Sequence, residues 1–248
     1  MDPKSFLPSV SVDCVIFGFH ANELKVLLLK LKEVEEWMLP GGFVNRDQDL
    51  NTGAGTVLQQ RTGLENIFLR QFYVFGDVAR NKVPHIDRLL AQGLIDTEQA
   101  EWFQQRFISV GYYALVEYSK VTAPTPDAFS ESCTWVSMAA IPPLLLDHKA
   151  ILHRAYDTLK KELNSQPIGL NLLPEEFTMT ELQSLYETIL QRKIDRRNFR
   201  RKMLSMNVLK DTNKRRTGLG HRAPIIYTFD REQYARALEM GFQASSLF

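Results

Sequence analysis

The stretch PGGFVNRDQDLNTGAGTVLQQRTGL, residues 40–64, decides how the first half of the chain is read. Gly41 and Gly42 open a polar loop, and residues 50–62 then space Leu50, Val57, Leu58 and Arg61 as one face of a helix. Gly53 and Gly55 oppose that helix by about 1 kcal/mol each. A glycine-opened loop leading into a helix is the outline of a scaffold for phosphate chemistry, which needs hard oxygen ligands to hold a divalent cation. This one is nearly empty of acids.

The flanking segments supply a sheet. VDCVIFGFH (12–20) and LKVLLLKL (24–31) are apolar, β-branched-rich runs joined by the short polar ANE, the pattern of a hairpin. LRQFYVFG (69–76), FISVGYYALVEY (107–118) and CTWVSM (133–138) read as further strands. Strands around one central helix predict an α/β or α+β domain with a mixed sheet. An insert at about 81–105 separates the runs at 69–76 and 107–118. It is long for the connection between two strands and carries two helical signals, the second (TEQAEWFQQRF) capped by Asp96 or Thr97. Cys14 and Cys133 stand alone in strand-like runs without C-x-x-C spacing, so both read as core residues.

The second half changes character. HKAILHRAYDTLKKELN (148–164) is amphipathic, with Ile151, Leu152, Ala155, Leu159 and Leu163 on one side. Thr178 and Glu181 form a capping box at the start of TELQSLYETIL, and Asp195 caps RRNFRRKMLSM, whose Phe199, Met203 and Leu204 are expected to point inward. VLKD and APIIYTF are strand-like, joined by the basic TNKRRTGLGHR, and REQYARALEMGF ends the pattern as a helix. Helices of which the last before the strands is strongly basic, followed by a hairpin with a basic tip, give the element order of a winged helix-turn-helix.

Length and composition agree with two soluble domains. The chain has 248 residues, 44% hydrophobic and 24% charged, which divides naturally at 1–146 and 147–248. No apolar run approaches the roughly 18 residues of a membrane span, and the N-terminus lacks a basic segment followed by an apolar one, so the expectation is a cytoplasmic protein without membrane contact. The net charge of +1 conceals an asymmetry: residues 191–222 hold twelve Lys or Arg against two acids, a net +10, so the rest of the chain sums to −9. One domain is built to meet a polyanion and the other is not.

Arg196, Arg197, Arg200 and Arg201 form i,i+4 pairs of like charge, which oppose helix formation by about a few tenths of a kcal/mol each unless an anion sits opposite. Arginines and Asn198 are also side chains able to make two-pronged contacts with guanine and adenine edges. Lys202 extends the basic helix, while Lys214, Arg215, Arg216, His221 and Arg222 would ride on the wing and hold backbone or minor groove. The bland alternative, a solvated basic helix or one paired with the acidic first domain, is disfavoured because helix order, caps and wing agree. RNA binding is disfavoured by the lack of aromatics near the arginines.

LPGGFV with a helix ending in RTGL resembles the signature region of Nudix hydrolases: a glycine, five intervening residues and a glutamate, seven intervening residues and an arginine, then three more glutamates, a glycine and an aliphatic residue. Gly42, Leu58, Gly63 and Leu64 fall in place, whereas the acidic positions read Gln48, Val57, Gln60 and Arg61, and the arginine position reads Thr56. In the family those acids hold divalent cations that activate water against a diphosphate, so the resemblance implies here a loop and helix with neither metal nor cofactor. FGDVAR (75–80), YYALV (112–116), LLLDHKAIL (144–152), FTMTELQSLYE (177–187) and DRRNFRRKM (195–203) extend the resemblance to Nudix-related bacterial transcriptional regulators of the NrtR and AraR types, which join a Nudix-like domain to a C-terminal winged helix. The insert is the main departure.

The resemblance implies an inactive Nudix-like mixed-sheet sandwich that senses a small effector, and a homodimer that binds a palindromic double-stranded operator. The effector implied is an arabinose-like pentose of carbohydrate metabolism or an ADP-ribose-like nucleotide. Loss of every acid slightly favours the neutral sugar, while Arg61 would suit a phosphate. Candidate effector residues are Gln48, Asp77 and Arg80 as polar groups and Trp37 and Phe75 as flat apolar surface. The rival is a hydrolase of nucleoside diphosphate derivatives that recruits acids elsewhere, such as Glu33, Glu35, Glu36 or Asp77. A third reading is a binding module with no role on DNA.

Overall fold

The apolar run at 12–20 extends upstream as β1 (Phe6–His20) and returns through Ala21 and Asn22, at φ 51° and 61°, into β2 (Glu23–Leu31). Two successive left-handed residues make the tight turn whose twist matches that of paired strands, and Asn tolerates that region better than most side chains. The structure is a computed structural model and describes residues 2–32, 34–65, 67, 69–81, 86–121, 124–126, 130–163, 168–216 and 223–240.

β3 (Trp37–Met38), β4 (Gly41–Asn45), β5 (Arg70–Phe75), β6 (Ile108–Glu117) and β7 (Ser130–Ser137) complete a seven-stranded sheet. Its order is β3-β2-β1-β6-β5, with β4 paired to β1 and β7 to β2. Helix α1 (Leu50–Thr62) starts behind Asp49, whose carboxylate accepts the Asn51 and Thr52 N–H groups, and ends at Gly63 with φ 72°. Its buried face is Gly53, Ala54, Val57, Leu58 and Thr62; Leu50 and Arg61, expected on that face, are only half-buried. The rotation has a cause in packing. A Cβ on Gly53 would lie 2.6 Å from Val44 Cγ1, so a residue that weakens the helix in isolation is the one that lets it approach the sheet.

β4 alternates between two environments. Gly42 and Val44 face α1, while Phe43 meets an aromatic cluster of Phe6, Trp102, Phe103 and Phe107 at centroid distances of 5.8, 5.7, 5.8 and 4.8 Å. Trp102 and Phe103 come from the insert, which forms α2 (Ile86–Ala91) and α3 (Thr97–Phe103). Asp96 is the cap of α3, closing a full capping box with Gln99. Cys14 and Cys133 are both buried, as expected of core residues.

α4 (His148–Leu163) buries Ile151, Leu152, Ala155, Leu159 and Leu163. After it come β8 (Phe177–Thr178), α5 (Met179–Leu190), α6 (Arg196–Ser205), β9 (Leu209–Arg215), β10 (Ile225–Phe229) and α7 (Arg231–Met240), with a small sheet ordered β8-β10-β9. The Thr178–Glu181 capping box forms as expected. Two compact units result: Met1–Phe17, Lys25–Leu115 and Val121–Tyr156 make one, and Gly18–Leu24, Val116–Lys120 and Asp157–Phe248 the other. By contacts, α4 runs from the first unit into the second, and the β1–β2 turn groups with the second unit. No helix among the described residues is long and apolar enough to cross a membrane.

Candidate nucleic-acid interface and effector pocket

α6 begins where the Asp195 carboxylate accepts the Asn198 N–H at 2.8 Å. Phe199 and Met203, one turn apart, are buried and fix the helix against α5, where the Phe199 ring meets Tyr186 at 5.2 Å. Leu204, expected inward, is 37% exposed. One residue along a helix turns about 100°, which carries it off the face that Met203 buries.

The same geometry turns Arg196, Arg197, Asn198, Arg200 and Arg201 to solvent, with Lys202 half-buried and its pKa lowered by desolvation. Arg200 donates to the Tyr227 hydroxyl at 3.3 Å, and Arg201 donates to Asn198 Oδ1 at 2.9 Å. Arg196 and Arg197 have no hydrogen-bond or ion-pair partner among the described residues. They occupy the first turn, where the helix dipole is already positive, so the arrangement favours an anion from outside the chain.

On the wing, Lys214 pairs with Glu176, Arg216 with Glu181, and Arg215 lies 3.8 Å from Asp211. These acids were invisible to the sequence reading as wing partners, since two of them lie 38 and 35 residues away along the chain. His221 and Arg222 fall outside the described residues.

In the first unit, Phe75, Asp77 and Arg80 line one cavity of about 710 Å³, together with Tyr73, Leu146 and Asp147. The two other candidates lie elsewhere. Trp37 is tied into β3 by hydrogen bonds with Pro143 and Leu145, and Gln48 is held between Asn45 and Thr56 at 3.1 and 3.0 Å. Neither lines the cavity.

Arg80 is held more firmly than the sequence suggested. Its side chain is 6% exposed, and the guanidinium makes a two-pronged contact with Asp147, Nε to Oδ2 at 2.9 Å and Nη2 to Oδ1 at 3.0 Å. Nη2 also reaches Asp13 at 3.3 Å and Nη1 the Phe107 carbonyl at 3.2 Å. Asp13 in turn accepts the Ser109 hydroxyl. His148 Nδ1 accepts the Leu39 N–H at 2.9 Å, which leaves its proton on Nε2, 3.5 Å from Asp13 Oδ1. Burial, aided by Arg80 and Arg61 and opposed by Asp13 and Asp147, lowers the His148 pKa, so the ring is neutral. Asp13, Ser109, Asp147 and His148 were all missed as site residues. A lone Asp inside the apolar run SVDCVIF is the signal available, because a buried carboxylate requires partners.

The residues at the Nudix acidic positions do not suit a divalent cation. Both ends of the Gln48 amide are engaged, Val57 is buried against Gly42, Gln60 is exposed, and Arg61 donates to Met38 Sδ at 3.4 Å. Among the described residues no three His, Cys, Asp or Glu side chains gather in a way that would hold a metal. Of the acids weighed for a hydrolase, Glu33 falls outside the described residues, Glu35 and Asp77 are exposed and Glu36 is half-buried.

Comparison with known proteins adds to this geometry. Residues 169–229 match the model of the NrtR DNA-binding winged helix domain. A curated relative, the ADPR responsive transcriptional repressor NtrR of Acinetobacter baylyi, is 28% identical over 234 residues, which cover 92% of this chain and 84% of the relative. The crystal structure of Shewanella oneidensis NrtR complexed with a 27mer DNA aligns with a TM-score of 0.71 and 25% identity, over 91% of this chain and 95% of that one. A MutT/nudix family protein from Enterococcus faecalis shares the fold, with a TM-score of 0.67 and 21% identity over 90% and 87% of the two chains.

Proposed function

We propose that this chain, an NrtR-type Nudix-related transcriptional regulator with a C-terminal winged helix domain, is a cytoplasmic DNA-binding repressor that responds to an ADP-ribose-like nucleotide. The observation that carries the DNA-binding part is α6: a short helix pinned by Phe199 and Met203 that presents in its first turn two arginines without a partner among the described residues. Bound to phosphate, those arginines gain the partner they lack and the dipole conflict is removed. Asn198 and Arg201 are placed beside them to read base edges. A two-fold dimer would present two such helices to half-sites one or two helical turns apart, so the operator is expected to be an imperfect palindrome.

The cavity lined by Phe75, Asp77 and Arg80 is the proposed effector site. Its aromatic side and its acidic and basic groups suit a base, ribose hydroxyls and a phosphoryl group. The Acinetobacter baylyi relative, an ADPR responsive repressor by name, supports the nucleotide over the pentose. The Nudix-like domain acts here as a sensor rather than a hydrolase, because Gln48, Val57, Gln60 and Arg61 supply no charged oxygen for a metal.

The test is a binding titration with a duplex that the protein itself selects from a random library. Wild type is expected to bind it with a steep salt dependence and to change affinity on addition of ADP-ribose but not of arabinose. Equal binding by the double variant Arg196→Ala with Arg197→Ala would remove α6 from the interface. Metal-dependent turnover of ADP-ribose would restore the hydrolase reading.

A further inference from the structure

Arg80 and Asp147 both line the proposed effector cavity, and Asp147 immediately precedes α4. We infer that the Arg80–Asp147 ion pair is a latch: an anionic group of the ligand, such as the phosphoryl of ADP-ribose, takes the two guanidinium donors that Asp147 now holds and frees the first turn of α4. This rests on the effector reading above and specifies how that site is regulated.

Three features make Asp147 the member that leaves. First, Arg80 serves two carboxylates, so one positive charge faces two negative ones while His148 stays neutral. Losing Asp147 leaves a balanced Arg80–Asp13 pair. Second, the Asp147 side chain is 21% exposed and Asp13 only 7%, and Asp13 is further tied to Ser109. Third, the fork that Asp147 occupies, Nε and one Nη, is the geometry that binds a phosphate as readily as a carboxylate.

The backbone next to the latch is set to move. Leu146, which also lines the cavity, has φ 50°, a left-handed conformation unfavourable for a side chain of its kind. It is held there between Leu145, whose N–H donates to the Trp37 carbonyl, and the latched Asp147. Releasing Asp147 removes one of those holds and lets the strain at Leu146 relax. Asp147 also supplies the carbonyl that accepts the Ile151 N–H, so a shift at 147 is felt in the first turn of α4. That helix begins in the first compact unit and ends in the second. A ligand that binds the released form better than the latched one shifts the population between them.

Two variants predict opposite effects. Asp147→Asn removes the competitor for Arg80, so the ADP-ribose concentration that half-maximally changes DNA affinity should fall about tenfold. Leu146→Gly removes strain from the latched form, so the same concentration should rise several-fold. Titrations of both full-length variants and of wild type with ADP-ribose, read by fluorescence anisotropy of a bound duplex, test this, with thermal melting to show that each variant is folded. Opposite shifts support the latch. Shifts in the same direction, or variants that match a responsive wild type, overturn the latch and leave the effector reading standing. A wild type that binds DNA without responding to ADP-ribose overturns both.

Discussion

Gly41 lies against the Asp13 carboxylate so closely that a Cβ at position 41 would overlap Asp13 Oδ1 and touch the Val12 carbonyl. The second residue of the PGG motif is thus glycine to make room for a buried acid. Gly42 meets a softer neighbour, the Val57 methyls at 3.2 and 3.3 Å. Gly41→Ala is expected to cost about 2–4 kcal/mol, because it displaces a carboxylate on which Arg80, Ser109 and His148 depend. Gly42→Ala should cost about 1 kcal/mol, since a methyl group gives way more easily. Urea unfolding of the two variants decides; equal costs would show that Asp13 is not the constraint.

Gly53→Ala sets helix propensity against packing. The helix gains about 1 kcal/mol from alanine, but the new Cβ must find space 2.6 Å from Val44 Cγ1. Overpacking costs about 1–3 kcal/mol, so the net effect is destabilising. Adding Val44→Ala should recover part of the loss, measured as a non-additive double-mutant cycle. A Gly53→Ala variant more stable than wild type would refute the close packing of α1 on β4.

The lowered His148 pKa makes stability depend on pH. Below the ordinary value of 6.5, the unfolded chain binds a proton at His148 that the folded chain refuses. The contribution of the neutral ring is therefore fully present above pH 6.5 and is lost as pH falls from there toward the lowered folded value. His148→Asn keeps an acceptor for the Leu39 N–H and removes the titration. The variant should be less stable at pH 7.5 yet show a flatter stability profile below pH 6.5 in denaturant titrations. An unchanged slope would assign the acid sensitivity to another group.

The helix and wing arginines should behave differently on DNA. Arg196→Ala and Arg197→Ala each remove a cation with no partner among the described residues, so each should weaken binding and reduce the salt slope by about 1. Lys214 and Arg216 are already paired, and on a wing that contacts DNA their removal would leave Glu176 or Glu181 without a counter-charge. Glu176→Gln should strengthen binding at low salt. A Glu176→Gln variant with wild-type affinity across the salt range would place Lys214 away from DNA.

Local patterns carried much of this molecule on the page of its sequence. The strands at 12–20 and 24–31, the α4 face from Ile151 to Leu163, and the caps Asp195 and Thr178 all follow from periodicity and short-range hydrogen bonding. The face of α1 was read slightly out of rotation, because a glycine in a helix looks like a weakness until the strand it packs on is known. Basic charge between residues 191 and 222 was plain, but which cations are free was not: Glu176 and Glu181 reach the wing only through the fold.

The sequence by itself determined the elements, their order and the absence of charged oxygens at the Nudix positions, because propensity, period and side-chain chemistry act between near neighbours. Tertiary structure alone decided the buried network, in which Asp13 and Asp147 each lie 67 residues from the Arg80 they share. No periodicity encodes such a pairing. It exists because a carboxylate buried by an apolar strand, Asp13, and a half-buried one at a helix start, Asp147, are both stabilised by the same positive charge where hydration is reduced.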